Sequence, residues 1–450
     1  MHRALAAGVF RAQEALLGRP TFALLATLTR NDDAPAETRR EHQRLALVAF
    51  LRTVLAHSPW HAQRLREAGL EASLRQGTLS LADFRRLPTM ARADARLHGA
   101  AMRWPGVPGG STPYSTGGSS GEPLRFHFGR ARQAADAACR LHARRAFGVL
   151  PGMREAFLWG APLELARNDR LKRLRDTLVN HRLWNAFQMT PAGMDAWREE
   201  LARWRPAALY GYASSLARFA RHLAARGRSG RLPGLRLVCT TGEPLPEADR
   251  ALLAACFGVP VANEYGCRDG GLLAHDAPAQ RLRVFTDCVL VELLGADGEP
   301  VAPGATGEVV VTHFHSQAQP FVRYRTGDQA RRAEDDEAGA PVEALAEVVG
   351  RSTDFLVASD GTVMHALAAL YVLREIPGLA AFQCEQYSRR EIELRVVAGP
   401  GFASTAPAAI SAGLRARLGE DVEIRIRLLE ALPPAPSGKH RVVVSHVAPP

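Results

Sequence analysis

The sequence predicts an α/β protein in two parts. A large N-terminal domain (1–350) carries mixed and parallel sheets plus an antiparallel β subdomain, and a small α+β C-terminal lid (351–450) follows. Three observations predict this. "GLRLVCTTGEPLPEADRALLAACFGVPVANEYG" (Gly234 to Gly266) runs as apolar strand, glycine-containing loop, helix and second apolar strand, the pattern of a parallel βαβ unit. From Arg281 the texture changes: "RLRVFTDCVLVELLGADGEPVAPGATGEVVVTHF" alternates apolar and polar residues around an "ADG" turn, which predicts antiparallel strands. The last hundred residues carry strands ("EIELRVVAG", "VEIRIRLLE"), one helix ("APAAISAGLRARLG") and a basic tail.

The remaining elements follow in order. The first thirty residues, "MHRALAAGVFRAQEALLGRPTFALLATLTR", are a basic, Ala/Leu-rich amphipathic stretch with no secretory cleavage pattern. They read as a helix packed on its own domain, with contact with a membrane surface as the lesser alternative, so no membrane association is expected. Residues 36–150 read as helices with loops and end in the helical "ARQAADAACRLHARRAFGVL". "REAFLWG" (154–160) and "ALYGY" (208–212) are short buried strands, each handing over to helical sequence. "RRAEDDEAGAPVEALAEV" (331–348) is a charged surface loop, and the chain shows no internal repeat.

Totals exclude several classes. At 450 residues the chain exceeds one typical core, and 46% hydrophobic with 23% charged residues rules out a disordered protein. Six scattered cysteines without a C-x-x-C pair predict a reduced, cytoplasmic protein. No apolar run reaches the length of a membrane span. The net charge of +11 is mostly arginine, spread through predicted helices and not gathered in one tract, so no nucleic-acid partner is expected.

"YSTGGSSGEPLRF" (from Tyr114) contains Gly117-Gly118-Ser119-Ser120-Gly121, which matches the G-x-S-x-G of a hydrolase nucleophile elbow. The elbow needs a strand before the serine and a helix after it. Upstream lies the Pro/Gly-rich "RWPGVPGGSTP", a poor buried strand, and downstream Leu124 to Phe128 alternates as a strand. A Walker loop would end in Gly-Lys-Ser/Thr, but Glu122 follows Gly121. A flexible loop remains, with Thr116, Ser119 and Ser120 hydroxyls and exposed amides that can converge on an anion. A solvated turn is equally consistent.

Further stretches fall where strands end. "TTGEPLP" (Thr240 to Pro246) and "NEYGCRDGG" (Asn263 to Gly271) each follow an apolar strand, where open α/β sheets form their ligand crevice. They place Glu243, Glu264 and Asp269 there, with Tyr265 as an aromatic face beside Gly266. "FVRYRTGDQA" sets Asp328 after a glycine turn, "VVGRSTDFLVASDG" supplies Arg351 and Asp354, and "PAPSGKHRVVV" offers Lys439 on a glycine-flanked turn. Each has a plain alternative. Lys439 reads as one more tail cation, Asp328 as a turn cap or partner of Arg325, and Glu243 as a carboxylate favoured at a helix start. His127 and His275 read as ordinary histidines.

In order and spacing these motifs resemble the adenylate-forming superfamily of acyl-CoA synthetases and adenylation domains. The closer resemblance is to its phenylacetate-CoA ligase-like branch, including members associated with capsular polysaccharide loci, and it spans the chain from about residue 40. The resemblance implies a two-step reaction: a carboxylic acid and ATP give acyl-AMP and pyrophosphate, then coenzyme A takes the acyl group. It implies that Thr116, Gly117, Gly118, Ser119, Ser120 and Gly121 form the loop on the β- and γ-phosphates of ATP. Gly242, Glu243 and Pro244 would line the adenine site, with Tyr265 and Gly266 near the purine, and Asp328 would accept the ribose hydroxyls. Arg351 would contact ribose or phosphate, Lys439 would bridge the attacking carboxylate and α-phosphate, and Asp269 would hold Mg²⁺. Asp354 would be the hinge of the small domain. Tyr212, Ala213 and Ser214 are the candidate wall of a pocket for an aryl or other medium-sized acid.

Two departures stand out. Arg268-Asp269 replaces the commoner Thr-Glu, and the shorter Asp points to Mg²⁺ ligation through water. Relatives carry cysteines near the equivalents of His275 and the 330–345 loop; here Cys267 and His275 stand without them, so no zinc site is expected. Alternative acceptors are a carrier protein, an amine or a sugar, and a related variant adenylylates a cofactor. A non-catalytic nucleotide-binding protein is the reading from a different class.

Overall fold

The N-terminal third folds as helices because its apolar residues recur at helical spacing. In the helix Ala36–His57, Leu47, Val48, Phe50, Leu51 and Val54 are buried, and they pack with Leu290 and Phe314 of the later β region. The computed structural model describes all residues except 116–123, 160–168, 187–188, 244, 279–281, 351–354, 366–371, 374–375, 431, 433–442 and 448–450.

β1 (Ser111–Ser115) and β2 (Arg125–Gly129) pair antiparallel and bracket the glycine-serine loop, whose residues 116–123 lie outside the described ones. The strand after the loop was expected; the strand before it was not. β1 forms because Tyr114 packs on Phe128, with ring centroids 4.6 Å apart. Four of its five residues are exposed, so it never needed the apolar sequence of a buried strand. Helix Arg130–Arg145 follows directly.

The main sheet has eleven strands and two wings. β3 (Glu155–Trp159), β4 (His181–Asn185), β5 (Ala208–Tyr212), β6 (Leu237–Thr241) and β7 (Val261–Cys267) pair in parallel in the order β4-β3-β5-β6-β7. β6, "LVCTT", is buried throughout, as a central parallel strand covered on both faces requires. Its alternate residues serve two clusters: Val238 packs with Leu216, Phe219 and Leu253, while Leu237 and Cys239 pack with Ala208, Tyr210 and Ala262. The helix Glu247–Phe257 between β6 and β7 begins with Glu247 and Asp249 in its first turn and stops at Gly258, whose φ of 69° is the left-handed cap glycine supplies.

At β7 the pairing reverses. β8 (Gly271–Asp276) runs antiparallel to β7, and β9 (Leu282–Val284), β10 (Val289–Leu294), β11 (Thr306–His313), β12 (Tyr324–Arg332) and β13 (Ala344–Gly350) continue antiparallel in the order β8-β9-β13-β12-β11-β10. The expected antiparallel region is therefore an extension of the same sheet. Arg323, at φ 51°, enters β12 buried, with Glu292 accepting from its Nε and Nη2 at 3.0 and 2.9 Å.

Past 350, β14 (Phe355–Val357) and β15 (Val363–His365) form a hairpin. β16 (Leu379–Ser388), β17 (Glu391–Ala398), β18 (Glu423–Leu429) and β19 (Val443–Ser445) form a sheet in the order β18-β17-β16-β19. Helix Ala406–Leu418 lays Ile410, Leu414 and Leu418 on Ile392, Leu394 and Val396, a core of its own. Two arginines of helix Ala213–Ala225 reach this part: Arg218 donates to the Ala416 carbonyl and Arg221 to the Thr362 hydroxyl, each at 2.6 Å. Among the described residues no helix is long and apolar enough to cross a membrane.

Candidate active site

The parallel and antiparallel wings meet at the turn between β7 and β8, and this turn carries Asp269. The turn is tight: a Cβ on Gly266 would come within 2.4 Å of the Gly271 carbonyl oxygen, so only glycine lets the strands approach there. Asp269 is 5% exposed, and its side chain is held by neighbours. Tyr324 donates its hydroxyl to Asp269 Oδ2 at 2.6 Å, and the Gly270 amide donates to Oδ1 at 3.2 Å. Arg132 lies against the backbone carbonyl of Asp269 at 3.4 Å and donates to Ser316 Oγ at 2.6 Å.

One strand along, Tyr265 donates its hydroxyl to Asp328 Oδ2 at 2.9 Å. Burial and the neighbouring Asp328 carboxylate push the Tyr265 phenol well above its ordinary range, so it acts as a neutral donor. Asp328 is half-buried, and its own amide donates to Thr326 Oγ1 at 3.1 Å. The structure thus brings Asp269, Tyr265, Gly266 and Asp328 together across β7 and β12, residues the sequence analysis had from separate motifs.

The loop after β6 forms the other edge. Gly242 has φ 74°, and a Cβ there would meet the Tyr212 ring at 3.4 Å. Glu243 Oε2 accepts the backbone amide of Ser214 at 2.8 Å, in the first turn of helix Ala213–Ala225. It is a helix-start carboxylate, but for a neighbouring helix and not for the one that follows it. Tyr212 stacks on Trp159 with centroids 4.1 Å apart. Tyr212, Ser214, Gly242 and Glu243 line a cavity of about 350 Å³, closed on its far side by Met364 and Leu418 of the C-terminal part. Ala213 is buried at 1% and does not line it. Thr116 to Gly121, Pro244, Arg351, Asp354 and Lys439 lie outside the described residues.

The sequence analysis missed a charged stripe on helix Arg130–Arg145. Arg132, Asp136, Arg140 and Arg144 recur every four residues, so they share one helix face. That face turns inward. Asp136 accepts the Leu272 amide at 3.1 Å and lies 3.5 Å from His313 Nε2. Arg140 donates to both oxygens of Glu264 at 3.1 and 3.2 Å, and Arg144 pairs with buried Glu155. The signal was the four-residue period, hidden by the arginine richness of the whole chain. Burial pushes the Glu264 carboxyl up, but the Arg140 guanidinium outweighs it and holds it at about 2.

Among the described residues, metal chemistry has two candidate places. Asp269 offers a hard oxygen ligand at the strand ends, and one carboxylate suits Mg²⁺ when phosphate oxygens and water complete its shell. With Tyr324 already on Oδ2, that donor set fits ligation through water or through the remaining lone pairs. Elsewhere, ligand atoms of Cys239, Glu264 and His275 lie within 4.8 Å of one another. All three are engaged: His275 Nδ1 is 2.7 Å from the Asp276 carbonyl, its Nε2 faces Cys239 Sγ at 3.5 Å, and Glu264 accepts from Arg140, Tyr210 and Thr241. A structural hydrogen-bonded cluster accounts for these groups.

Comparison with known proteins gives concordant results. Residues 183–315 match the family model described as AMP-binding enzyme. Protein CapK of Staphylococcus aureus is 18% identical over 74% of this chain and 74% of its own length. The phenylacetate-coenzyme A ligase of Thermus thermophilus is 24% identical over 72% of each chain. Among solved structures, 2-hydroxyisobutyryl-CoA ligase in complex with its acyl-AMP and CoA superposes with a TM-score of 0.63 at 19% identity, covering 93% of this chain and 91% of that one.

Proposed function

We propose that the chain is an acid–thiol ligase of the adenylate-forming superfamily, in its phenylacetate-CoA ligase-like branch, a reading supported by the AMP-binding match and by its similarity to CapK and phenylacetate-coenzyme A ligase. It joins a carboxylic acid to ATP as acyl-AMP and then passes the acyl group to coenzyme A. The observation that carries this reading is the convergence of Asp269, Tyr265 and Asp328 at the junction of the sheet's wings.

In the first step an oxygen of the acid forms a bond to the α-phosphorus, and the bond to the departing pyrophosphate breaks. Asp328, oriented by Tyr265, is a bidentate acceptor for both ribose hydroxyls. Gly242 and Glu243 line the adenine side with Pro244, and Tyr212 and Ser214 face the acid. Lys439, with Arg351, neutralises charge between carboxylate and α-phosphate, and residues 116–121 wrap the outgoing phosphates. Asp269 would hold Mg²⁺, which when bound would supply charge neutralisation for the phosphates. In the second step the thiol sulfur attacks the acyl carbon and AMP leaves. The chain divides at 350/351, with Asp354 as the hinge; it works in the cytoplasm and needs no zinc. The acid is aryl or medium-sized, matched to the cavity of about 350 Å³.

The test is acid-dependent release of pyrophosphate from ATP and Mg²⁺ over a panel of aryl and aliphatic acids, with and without coenzyme A. One acid class should support release, and Lys439→Ala should lower the rate roughly 10²- to 10³-fold, as for other single electrostatic contributors. Silence across the panel with ATP still bound would sink the reading. Release without coenzyme A-dependent thioester would move the acceptor to a carrier protein, an amine or a sugar.

A further inference from the structure

We propose that Cys139 and Cys288 are a redox modification site, a buried dithiol that hydrogen peroxide closes to a disulfide. The two residues are 149 positions apart in sequence, yet their sulfurs lie 3.4 Å from each other. Cys139 sits on the inward face of helix Arg130–Arg145, and Cys288 immediately precedes β10. Both are 1% exposed, packed among Leu28, Phe285 and Val289.

The pair is asymmetric, as a dithiol that reacts in sequence requires. The Cys139 thiol donates toward Cys288, and this hydrogen bond, against burial and with help from His315, holds the Cys288 thiol below its ordinary range. Burial and the neighbouring Cys288 push the Cys139 thiol up. Cys288 is therefore the sulfur that gives up its proton first. His315, half-buried, is a side-chain neighbour of Cys288.

The chemistry balances with one peroxide. The Cys288 thiolate attacks one peroxide oxygen, the O–O bond breaks, and a sulfenic acid and one water result. Cys139 sulfur then displaces the sulfenic hydroxyl, which leaves with the Cys139 proton as a second water, and the S–S bond forms. Two thiols lose two electrons and peroxide is reduced to two waters. The proposed oxidation uses none of Asp269, Tyr265 or Asp328.

Peroxide-treated, folded, full-length protein is denatured, alkylated without reductant and digested with trypsin. Cleavage at the arginines isolates Cys139 in residues 133–140 and Cys288 in residues 284–323. The expected product is these two peptides joined, two hydrogen atoms lighter than their sum and separated by dithiothreitol. In Cys139→Ser, Cys288 should stop at a sulfenic acid that dimedone captures. Full alkylation of both cysteines after treatment would overturn the proposal, as would sulfinic or sulfonic products at Cys288 in the wild type, or a bridge to another cysteine. No readout depends on ligase activity, so an inactive enzyme and an absent bridge are distinguishable.

Discussion

The loop after β6 and the turn after β7 are adjacent strand ends, but they are built in opposite ways. The β7–β8 turn is fixed from several sides: Tyr324 on the Asp269 carboxylate, Arg132 on its carbonyl, Arg140 on Glu264, and Tyr265 on Asp328. The β6 loop carries the Glu243–Ser214 hydrogen bond and lines the cavity of about 350 Å³. In the proposed reaction the first edge meets the ribose and phosphates, which never vary. The second meets the adenine through Gly242 and Glu243 and shares its cavity with Tyr212 and Ser214, which face the acid that differs between relatives. Buried polar networks specify one geometry; an edge that lines a cavity accepts side-chain change.

The largest effect is expected from breaking the fixed edge. Arg140→Met leaves the Glu264 carboxylate buried and unpaired, which should cost about 3 kcal/mol in urea unfolding. The pH dependence should change as well. In the wild type Glu264 titrates at about 2 when folded, against an ordinary value of 4.5. Its contribution is therefore fully present above 4.5 and is lost as pH falls toward 2. Without Arg140, burial is opposed only by Arg144 and His275, so the carboxyl should move back up and the loss of stability on acidification should shrink and shift to higher pH. An unchanged slope would show that the pair does not hold the turn.

Asp328→Ala comes next. Loss of charge-assisted hydrogen bonds worth roughly 1.5–3 kcal/mol should raise KM for ATP about 10- to 100-fold and leave KM for the acid unchanged. Tyr265→Phe keeps the ring and removes only the hydroxyl on Asp328, so about 1 kcal/mol, or roughly fivefold in KM for ATP, is expected. Equal effects on both substrates would remove the distinction between the edges. Glu243→Gln should matter least. Its amide oxygen still accepts the Ser214 amide, so thermal stability should fall by only a few tenths of a kcal/mol, whereas Glu243→Ala should cost about 1 kcal/mol.

Most of the parallel wing was legible in the sequence because its strands are unbroken apolar runs and its helix carries acidic starts and a glycine stop. β4, "HRLWN", was not, since an edge strand with three polar residues among five has no pattern of its own. β1 was hidden by its proline and by the glycines that precede it. At the site, Asp269, Tyr265 and Asp328 were readable as motif residues. The inward stripe of helix Arg130–Arg145 was not: arginine at a four-residue period reads as a solvated face, and only tertiary packing shows which face is turned in. Cys139 and Cys288 carried no spacing signal because 149 residues separate them.

That stripe behaves as a ruler laid across the sheet. From Arg132 to Arg144 the helix advances about 18 Å at roughly 1.5 Å per residue. Its grips run from the β7–β8 turn to Glu155 on β3, four strand spacings away in the order β8-β7-β6-β5-β3. Four spacings of about 4.8 Å make roughly 19 Å. Helix and sheet are thus commensurate over this span, and the strands between the grips cannot fan apart without pulling a charge off its partner. Amide hydrogens of β3 and of β8, at the two ends of the ruler, are expected to exchange together as one opening unit.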